Sequence, residues 1–252
     1  MSNSYFQFKQ FTIHQDRCAM KVTTDACLFG AWLVNEINNV VHPDSFGKQL
    51  RINNCLDIGT GTGLLALMLA QKNDEAFIDA IEIDKDAAEQ AKENVASSPW
   101  KERINVINAD AKKFSFANKY DLIISNPPFY EDELRSESER KNIAHHSANL
   151  TLKELLDVIK TNLTPDGIFF LLMPYKRNEE INKLLKDHQL HVSKILFVRQ
   201  SIKHDYFRIF IKGDLKTSAH QETEFHEIST WDENQQYTPA FNSLLKEYYL
   251  YL

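Results

Sequence analysis

Strand-like and helix-like segments alternate through the middle of the chain, and this alternation constrains the fold more than any other feature. Short apolar runs indicate strands, and segments with apolar residues at helical spacing lie between them. The predicted strands are 51–58, 76–83, 104–108, 120–125 and 167–173, and the predicted helices are 64–71, 84–96 and 151–162. Such alternation is typical of a parallel sheet flanked by helices, so we predict an α/β fold.

The two ends of the chain depart from this alternation. Residues 24–38 have apolar side chains at helical spacing and predict a helix before the first strand. Residues 192–199 and 205–212 are strand-like runs around a polar stretch, which favours an antiparallel pair at the sheet edge. Thr238–Pro239 has the form of an N-cap and first-turn proline, and predicts a terminal helix through Leu250.

Composition excludes several classes of protein. The 252 residues include 16 Phe, 9 Tyr and 3 Trp, which argues against intrinsic disorder. Apolar runs are too short for a membrane span, and the first ten residues lack the pattern of a signal peptide. The three cysteines are far apart, which favours a reducing cytoplasm and no metal site. We expect one domain over residues 1–252, with residues 1–40 as an N-terminal extension, and no obligate protein partner.

Charge is distributed unevenly along the sequence. The net charge of −6 argues mildly against a surface that binds nucleic acid throughout. Residues 176–212 nevertheless contain nine basic and four acidic side chains, whereas residues 213–252 contain two basic and seven acidic ones. A local basic face and an ordinary, uneven solvated surface both fit this distribution.

A glycine-rich turn follows the first strand of the alternating region and opens a helix. It reads Asp57-Ile58-Gly59-Thr60-Gly61-Thr62-Gly63-Leu64. The sequence lacks the GKS or GKT of a phosphate-binding P-loop, and a leucine replaces the third glycine of the dinucleotide fingerprint. The acid before the glycines would repel a pyrophosphate but suits an ammonium group.

Further acids follow the next two strands. Glu82 ends the second strand, where a carboxylate can accept both hydroxyls of a ribose. Asp84 more plausibly caps the following helix. Asp110 follows the third strand and could accept from an adenine amine, although a surface turn remains an alternative. An adenosine that carries an amino acid and no phosphate fits these features, which favours S-adenosylmethionine as the cofactor.

The fourth strand ends directly in Asn126-Pro127-Pro128-Phe129. Consecutive prolines fix the backbone and remove donors, so the carbonyl groups remain free to accept. The amide oxygen of Asn126 and the carbonyl of Pro127 could each accept one N–H of a planar amine, while the ring of Phe129 stacks on the base. Such acceptors favour a pyramidal nitrogen with an exposed lone pair, and no metal is required.

The ordered set of motifs resembles the class I S-adenosylmethionine-dependent methyltransferases that act on exocyclic or amide nitrogens. Several segments are similar to the tRNA adenine-N6 methyltransferase family, whose members modify nucleotide 37 of valine tRNA. These segments are 8–11, 16–25, 30–32 and 237–239. The resemblance implies a Rossmann-like, seven-stranded, mostly parallel sheet with helices on both faces and one antiparallel edge strand.

The resemblance and the motifs together give a set of candidate residues. The segment 21–25 resembles one that lies against the methionine end of the cofactor in this family. The cofactor candidates are Lys21, Thr24, Asp25, Asp57, Gly59, Thr60, Gly61, Gly63, Glu82, Asp110 and Asn126. The catalytic candidates are Asn126, Pro127, Pro128 and Phe129. The candidates for binding tRNA are Lys9, Arg17, Arg199, Lys203 and Arg208.

Two alternatives remain open from the sequence. The same four-residue turn serves glutamine-N5 methylation of protein and guanine-N2 methylation of rRNA, and a noncatalytic RNA-binding module is the rival from another class. We interpret the charged run 131–141 as a flexible flap and His145–His146 as part of a polar loop rather than a metal site.

Overall fold

The computed structural model describes residues 3–38, 51–128, 150–215 and 222–252. The strands in these residues are β1 (Tyr5–Gln7), β2 (Thr12–His14), β3 (Asn54–Ile58), β4 (Phe77–Glu82), β5 (Ile104–Asn108), β6 (Tyr120–Ser125), β7 (Leu163–Pro174), β8 (His191–Ser201), β9 (Tyr206–Asp214) and β10 (Glu224–Trp231). The helices are α1 (Thr24–Asn38), α2 (Leu64–Ala70), α3 (Lys85–Ala96), α4 (Leu152–Asn162), α5 (Asn178–Asp187) and α6 (Pro239–Leu245).

The main sheet has the strand order β10-β8-β9-β7-β6-β3-β4-β5, while β1 and β2 pair separately as a hairpin. Adjacent strands are parallel except where β9 pairs antiparallel with β7 and with β8. The predicted mostly parallel α/β sheet is therefore confirmed. The predicted count of seven strands is one too low, because β10 adds to the outer side of β8.

The antiparallel strand also lies elsewhere than the sequence suggested. Residues 192–199 and 205–212 do pair antiparallel, as predicted, within β8 and β9. The prediction of an antiparallel edge strand is wrong, because β9 lies between β7 and β8 inside the sheet. The physical reason is that β9 finds backbone partners on both sides, with Phe169 opposite Gly213 and Val192 opposite the same glycine.

Both faces of the sheet are covered by helices. On one face, α1 and α2 bury apolar side chains against residues such as Cys55 and Phe170. On the other face, α4 and α5 pack against residues such as Leu56 and Phe169. Successive strand residues point to opposite faces, so a strand with two buried faces has a nearly continuous apolar sequence. This burial explains why the central strands were recognisable as short apolar runs.

Side-chain caps define where several helices begin. Asp84 Oδ1 accepts from the Ala87 N–H at 2.8 Å, which confirms the capping role expected for this acid. Thr238 Oγ1 accepts from the Phe241 N–H at 3.2 Å and caps α6, as predicted. The predicted end of this helix at Leu250 is wrong, because α6 ends at Leu245.

We expect Gly213→Ala to destabilise the protein by about 1–3 kcal/mol, since overpacking at this position meets rigid neighbours. A Cβ at Gly213 would lie 2.3 Å from the His191 carbonyl oxygen and 2.3 Å from Phe169 Cζ. Gly30→Ala is the matched control, because its Cβ would meet the flexible Met68 Sδ at 2.6 Å. Helix propensity favours alanine there by about 1 kcal/mol. We therefore expect Gly30→Ala to lower the free energy of unfolding less than Gly213→Ala does. Urea unfolding measures both free energies, and equal losses for the two variants would contradict this packing argument.

Candidate active site

The glycine-rich turn connects β3 to α2 with a backbone that side chains disfavour. Gly59, Gly61 and Gly63 have φ angles of 72°, 54° and 83°. The N–H groups of Gly59 and Thr60 donate to the Ile81 carbonyl at 2.9 and 3.1 Å, so the turn is anchored on β4. No atom of the described residues lies within 4 Å of a Cβ built on Gly59 or Gly61. The space beside these two glycines is therefore open to a ligand.

Asp57 lies buried under this turn. Its Oδ2 accepts from the Thr60 hydroxyl at 2.6 Å, whereas Oδ1 has no hydrogen-bond partner among the residues that the structure describes. Burial raises the pKa of Asp57 to about 7, with the Glu82 carboxylate adding to the rise and the Thr60 hydroxyl opposing it. An orphaned, buried carboxylate oxygen favours a positively charged donor nearby.

Glu82 ends β4 directly beside the turn. Its Oε2 accepts from the Gly61 N–H and its Oε1 from the Asp84 N–H, both at 2.9 Å. Burial raises the pKa of this carboxyl, and the two backbone donors act in the opposite direction. A carboxylate has about four lone-pair sites, so Glu82 retains acceptor capacity for ribose hydroxyls.

Asp110 lies on the next strand connection. Its Oδ1 accepts from the Lys112 N–H at 3.0 Å, and its Oδ2 lies 3.5 Å from Lys113 Nζ. The Ala109 N–H donates to the Glu82 carbonyl at 3.0 Å, which holds the end of β5 against the end of β4. The side chain of Asp110 is 16% exposed.

The Asn126–Pro128 turn follows β6, which flanks β3 on the side opposite β4. β6 pairs with β3 so that Ser125 is opposite Ile58, and Ser125 Oγ donates to the Ile58 carbonyl at 2.8 Å. Asn126 follows directly and is half-buried, Pro127 is buried and Pro128 is exposed. The two turns therefore leave adjacent strands at the carboxyl edge of the sheet, where open α/β folds bind ligands. Phe129 lies outside the described residues.

The N-terminal segment is joined to the glycine turn through one side chain. Asn94 Nδ2 donates to the His14 carbonyl at 2.8 Å and to the Thr62 carbonyl at 2.9 Å. Lys21 Nζ donates to the carbonyls of Gln15 and Cys18, so its ammonium orders the loop that follows β2. Burial raises the pKa of the Cys18 thiol to about 11, with the carboxylate of Glu82 as the next cause. The influence of Glu82 on Cys18 places this segment near the end of β4.

Thr24 and Asp25 begin α1, and the structure gives them different environments. Thr24 is exposed, whereas Asp25 Oδ2 accepts from Arg208 Nε at 2.7 Å. The side chain of Asp25 is 13% exposed and that of Arg208 is 30% exposed. Asp25, predicted to bind the cofactor, and Arg208, predicted to bind tRNA, thus form an ion pair. The sequence did not predict this pair, because the two residues are 183 positions apart.

The remaining candidates for tRNA contact fall on two surfaces. Lys9 Nζ donates to the Lys246 carbonyl, and Arg17 pairs with Glu93 on α3. Both side chains therefore attach the N-terminal region to the rest of the chain. Arg199 lies on β8 and pairs with Glu227 at 2.8 Å. Lys203 follows β8 and is exposed, with no side-chain partner among the described residues.

Some interpretations lie beyond what the structure describes. The run 131–141 and the pair His145–His146 fall outside the described residues. Within residues 3–38, 51–128, 150–215 and 222–252, no group of three or more His, Cys, Asp and Glu side chains is arranged to hold a metal ion. In the same residues, no helix combines the length and apolar character needed to cross a membrane.

Comparisons with known proteins identify a family and a fold for this chain. The model of the methyltransferase small domain family matches residues 43–188. Proteins named tRNA1(Val) (adenine(37)-N6)-methyltransferase from Dyadobacter fermentans and Bacteroides thetaiotaomicron are 37% and 38% identical, covering 98% and 100% of this chain and equal shares of their own. A predicted O-methyltransferase from Agrobacterium tumefaciens superposes with a TM-score of 0.63 at 16% identity, covering 88% of this chain and 95% of that one.

The fold and the site together define a class I S-adenosylmethionine-dependent methyltransferase. Within that class, the chain belongs to the family of proteins named tRNA1(Val) (adenine(37)-N6)-methyltransferase, which includes the relatives from Dyadobacter and Bacteroides.

Between about pH 4 and pH 7, we expect the ligand-free wild type to lose stability relative to Asp57→Asn. Folding raises the pKa of Asp57 from 3.8 to about 7. The contribution of Asp57 to the free energy of unfolding is therefore fully present below its pKa in the unfolded chain. It is lost as pH rises through the pKa in the folded protein, at up to about 1.4 kcal/mol per pH unit. Unfolding free energies across this range test the effect.

The matched control for this measurement is Glu75→Gln, since Glu75 is exposed and outside the site. Its difference from wild type across the same range gives the effect of removing a carboxyl group outside the site. A constant difference for Asp57→Asn would show that Asp57 has an ordinary pKa.

Proposed function

We propose that this chain transfers a methyl group from S-adenosylmethionine to N6 of an adenosine in tRNA, at position 37 of valine tRNA. The observation that carries the proposal is the Asn126–Pro127 turn held against the glycine turn by the Ser125–Ile58 hydrogen bond. The printed names of the full-length relatives support the choice of tRNA and nucleotide. A tRNA substrate also supports a cytoplasmic location.

The residues present fit the cofactor. Asp57 offers an orphaned carboxylate oxygen for the ammonium group, and Glu82 offers acceptors for the ribose hydroxyls. The open space beside Gly59 and Gly61 admits the ligand close to the backbone. Asp110 is the acceptor proposed for the adenine amine. When bound, S-adenosylmethionine supplies a methyl group on a positively charged sulfur.

The catalytic work of the protein is to prepare a poor nucleophile. The lone pair of an exocyclic adenine nitrogen is delocalised into the ring, so the planar amine reacts slowly. The Asn126 amide oxygen and the Pro127 carbonyl would each accept one N–H and favour a pyramidal nitrogen. These hydrogen bonds strengthen as positive charge develops on the nitrogen, so they stabilise the transition state more than the ground state.

The N-terminal extension, residues 1–40 of a single-domain chain, is proposed to complete the site. Support comes from Asn94, which joins the His14 carbonyl to the Thr62 carbonyl of the glycine turn. Asp25 is fixed by its ion pair with Arg208. This arrangement orders the start of α1 at the same edge of the sheet as the two turns.

Binding of tRNA requires contacts beyond the pocket. A target adenine within the anticodon loop reaches a pocket only when it is splayed out of the stack. Lys9, Arg17, Arg199, Lys203 and Arg208 are proposed to contact the RNA backbone. The three arginines pair with carboxylates in the free protein, so phosphate contacts there would compete with those ion pairs. Exposed Lys203 meets no such competition.

We expect Asn126→Ala to lower the methylation rate of valine tRNA by about 100-fold or more, because it removes one transition-state acceptor. Cofactor affinity should change much less. Asn105→Ala is the matched control, since Asn105 is exposed at the start of β5, on the opposite edge of the sheet. Transfer of labelled methyl groups and mass spectrometry of the tRNA nucleosides provide the measurement.

The outcome that would contradict the proposal is near-normal turnover by Asn126→Ala. Methylation of a release-factor peptide or of rRNA, with none of tRNA, would instead retain the chemistry and move the substrate. The same nucleoside analysis distinguishes N6-methyladenosine from N2-methylguanosine.

We expect Glu82→Gln to weaken binding of S-adenosylmethionine by about tenfold or more, because a neutral amide replaces a charged acceptor of ribose hydroxyls. Glutamine keeps one oxygen to accept a backbone N–H of the turn, so the fold should persist. Glu75→Gln, just before the opposite end of β4, controls for a lost carboxylate. Isothermal calorimetry measures both; unchanged affinity in Glu82→Gln would remove Glu82 from the cofactor site.

A further inference from the structure

Four aromatic rings form a continuous surface on the outer part of the sheet, and we name Tyr175, Phe197, Tyr206 and Phe225 the aromatic platform. The ring of Phe197 is at the centre, with centroids 5.9 Å from Tyr175, 5.2 Å from Tyr206 and 6.1 Å from Phe225. The rings of Tyr175 and Tyr206 are 5.4 Å apart. The planes of Phe197 and Phe225 are nearly parallel at 8°, whereas Tyr206 is tilted by 35° and Tyr175 by 78° from the plane of Phe197.

The platform is incompletely covered by the protein. Helix α5 buries Ile181 and Leu185 against this face of the sheet, but β10 extends the sheet on the outer side of β8. The side chain of Phe225 on β10 is 64% exposed, and the other three rings are half-buried. One exposed ring packed on partly buried rings offers an aromatic face to a flat ligand.

Basic side chains outnumber acidic ones beside the platform. The Arg199 guanidinium lies 5.5 Å from the centroid of the Tyr206 ring. Lys176 and Lys203 are exposed, and no side-chain partner is found for either within the described residues. Glu227 accepts from Arg199 and from the Tyr206 hydroxyl, and the exposed Asp205 directly precedes Tyr206. Arg199 balances the charge of Glu227, and Lys176 and Lys203 together exceed the charge of Asp205, so a net positive charge remains for an anionic partner.

The platform begins beside the proposed catalytic turn. Tyr175 follows the last residue of β7, the strand that pairs with β6. Tyr206 begins β9, whose Arg208 is opposite Pro174. Four strand spacings of about 4.8 Å separate β6 from β10, so the surface extends about 19 Å from the Asn126 turn. A few nucleotides of single-stranded RNA would cover that distance.

We propose that the aromatic platform stacks unpaired bases of the tRNA anticodon loop that lie next to the target adenosine. This inference rests on the proposed tRNA substrate. Splaying one base out of the loop breaks the stacking of its neighbours, and aromatic side chains recover that stacking at any base. The flat rings bind the bases, while Lys176 and Lys203 lie where the phosphates of the same nucleotides would pass.

The test measures the affinity of the full chain for an unmodified valine tRNA transcript over a range of salt concentrations. We expect Phe225→Ala to weaken binding by about tenfold at every salt concentration, with an unchanged slope of log affinity against log salt, because stacking releases no counterions. Lys203→Ala should instead reduce the slope. Phe225→Tyr should bind like wild type and Phe225→Leu like Phe225→Ala, because base stacking needs a flat ring.

Phe77→Ala is the matched control, since Phe77 is 60% exposed but begins β4 at the opposite edge of the sheet. It should bind tRNA like wild type, and all variants should bind S-adenosylmethionine normally. In steady-state assays, Phe225→Ala should raise KM for tRNA and leave kcat nearly unchanged.

The outcomes separate this inference from the proposed function. If wild type methylates the transcript while Phe225→Ala matches it in affinity and KM, the platform does not bind RNA and the proposed function stands. Wild-type affinity in Phe225→Leu would replace base stacking by a nonspecific apolar contact and overturn the inference. If wild type neither binds nor methylates tRNA, the proposed function fails and the assignment of the platform to RNA fails with it.

Discussion

The backbone hydrogen bonds between the glycine turn and the end of β4 are the constraint on which the site depends. Two N–H groups of the turn donate to the Ile81 carbonyl, and the Gly61 N–H donates to the Glu82 carboxylate. Because β3 lies between β4 and β6, these bonds also set the position of the turn relative to Asn126. The proposed donor and acceptor sites are therefore fixed by the pairing of three adjacent strands.

The electrostatics of the site follow from the burial of two acids, Asp57 and Glu82, beside the glycine turn. Burial raises the pKa values of Asp57 and Glu82; the Glu82 carboxylate adds to the rise at Asp57, and the Asp84 carboxylate adds to the rise at Glu82. A cationic ligand would lower both pKa values, so its binding would be coupled to proton release. A ligand with an ammonium and a sulfonium group supplies such charge, whereas a pyrophosphate would increase the repulsion.

The sequence predicted those elements whose burial leaves a local pattern. Helix α1 was predicted at Thr24–Asn38 because apolar residues recur there at helical spacing, and ten of its residues are buried in the structure. Strand β10 was missed, since it lies at the sheet edge and buries only Ile228 and Thr230. The terminal helix stops early because the chain turns to pair with the N-terminus, where Lys9 N–H donates to the Tyr248 carbonyl at 2.8 Å. That long-range bond has no local sequence signal.

The candidate site shows the same division between local and distant information. The positions of the glycine turn, Asp57 and Glu82 were predictable because they lie at strand ends. The ion pair between Asp25 and Arg208 was not, since 183 residues separate its members. It joins the start of α1, proposed for the cofactor, to β9, proposed for tRNA. A phosphate that attracted Arg208 would therefore act on Asp25 as well, which gives the two binding surfaces a direct physical connection.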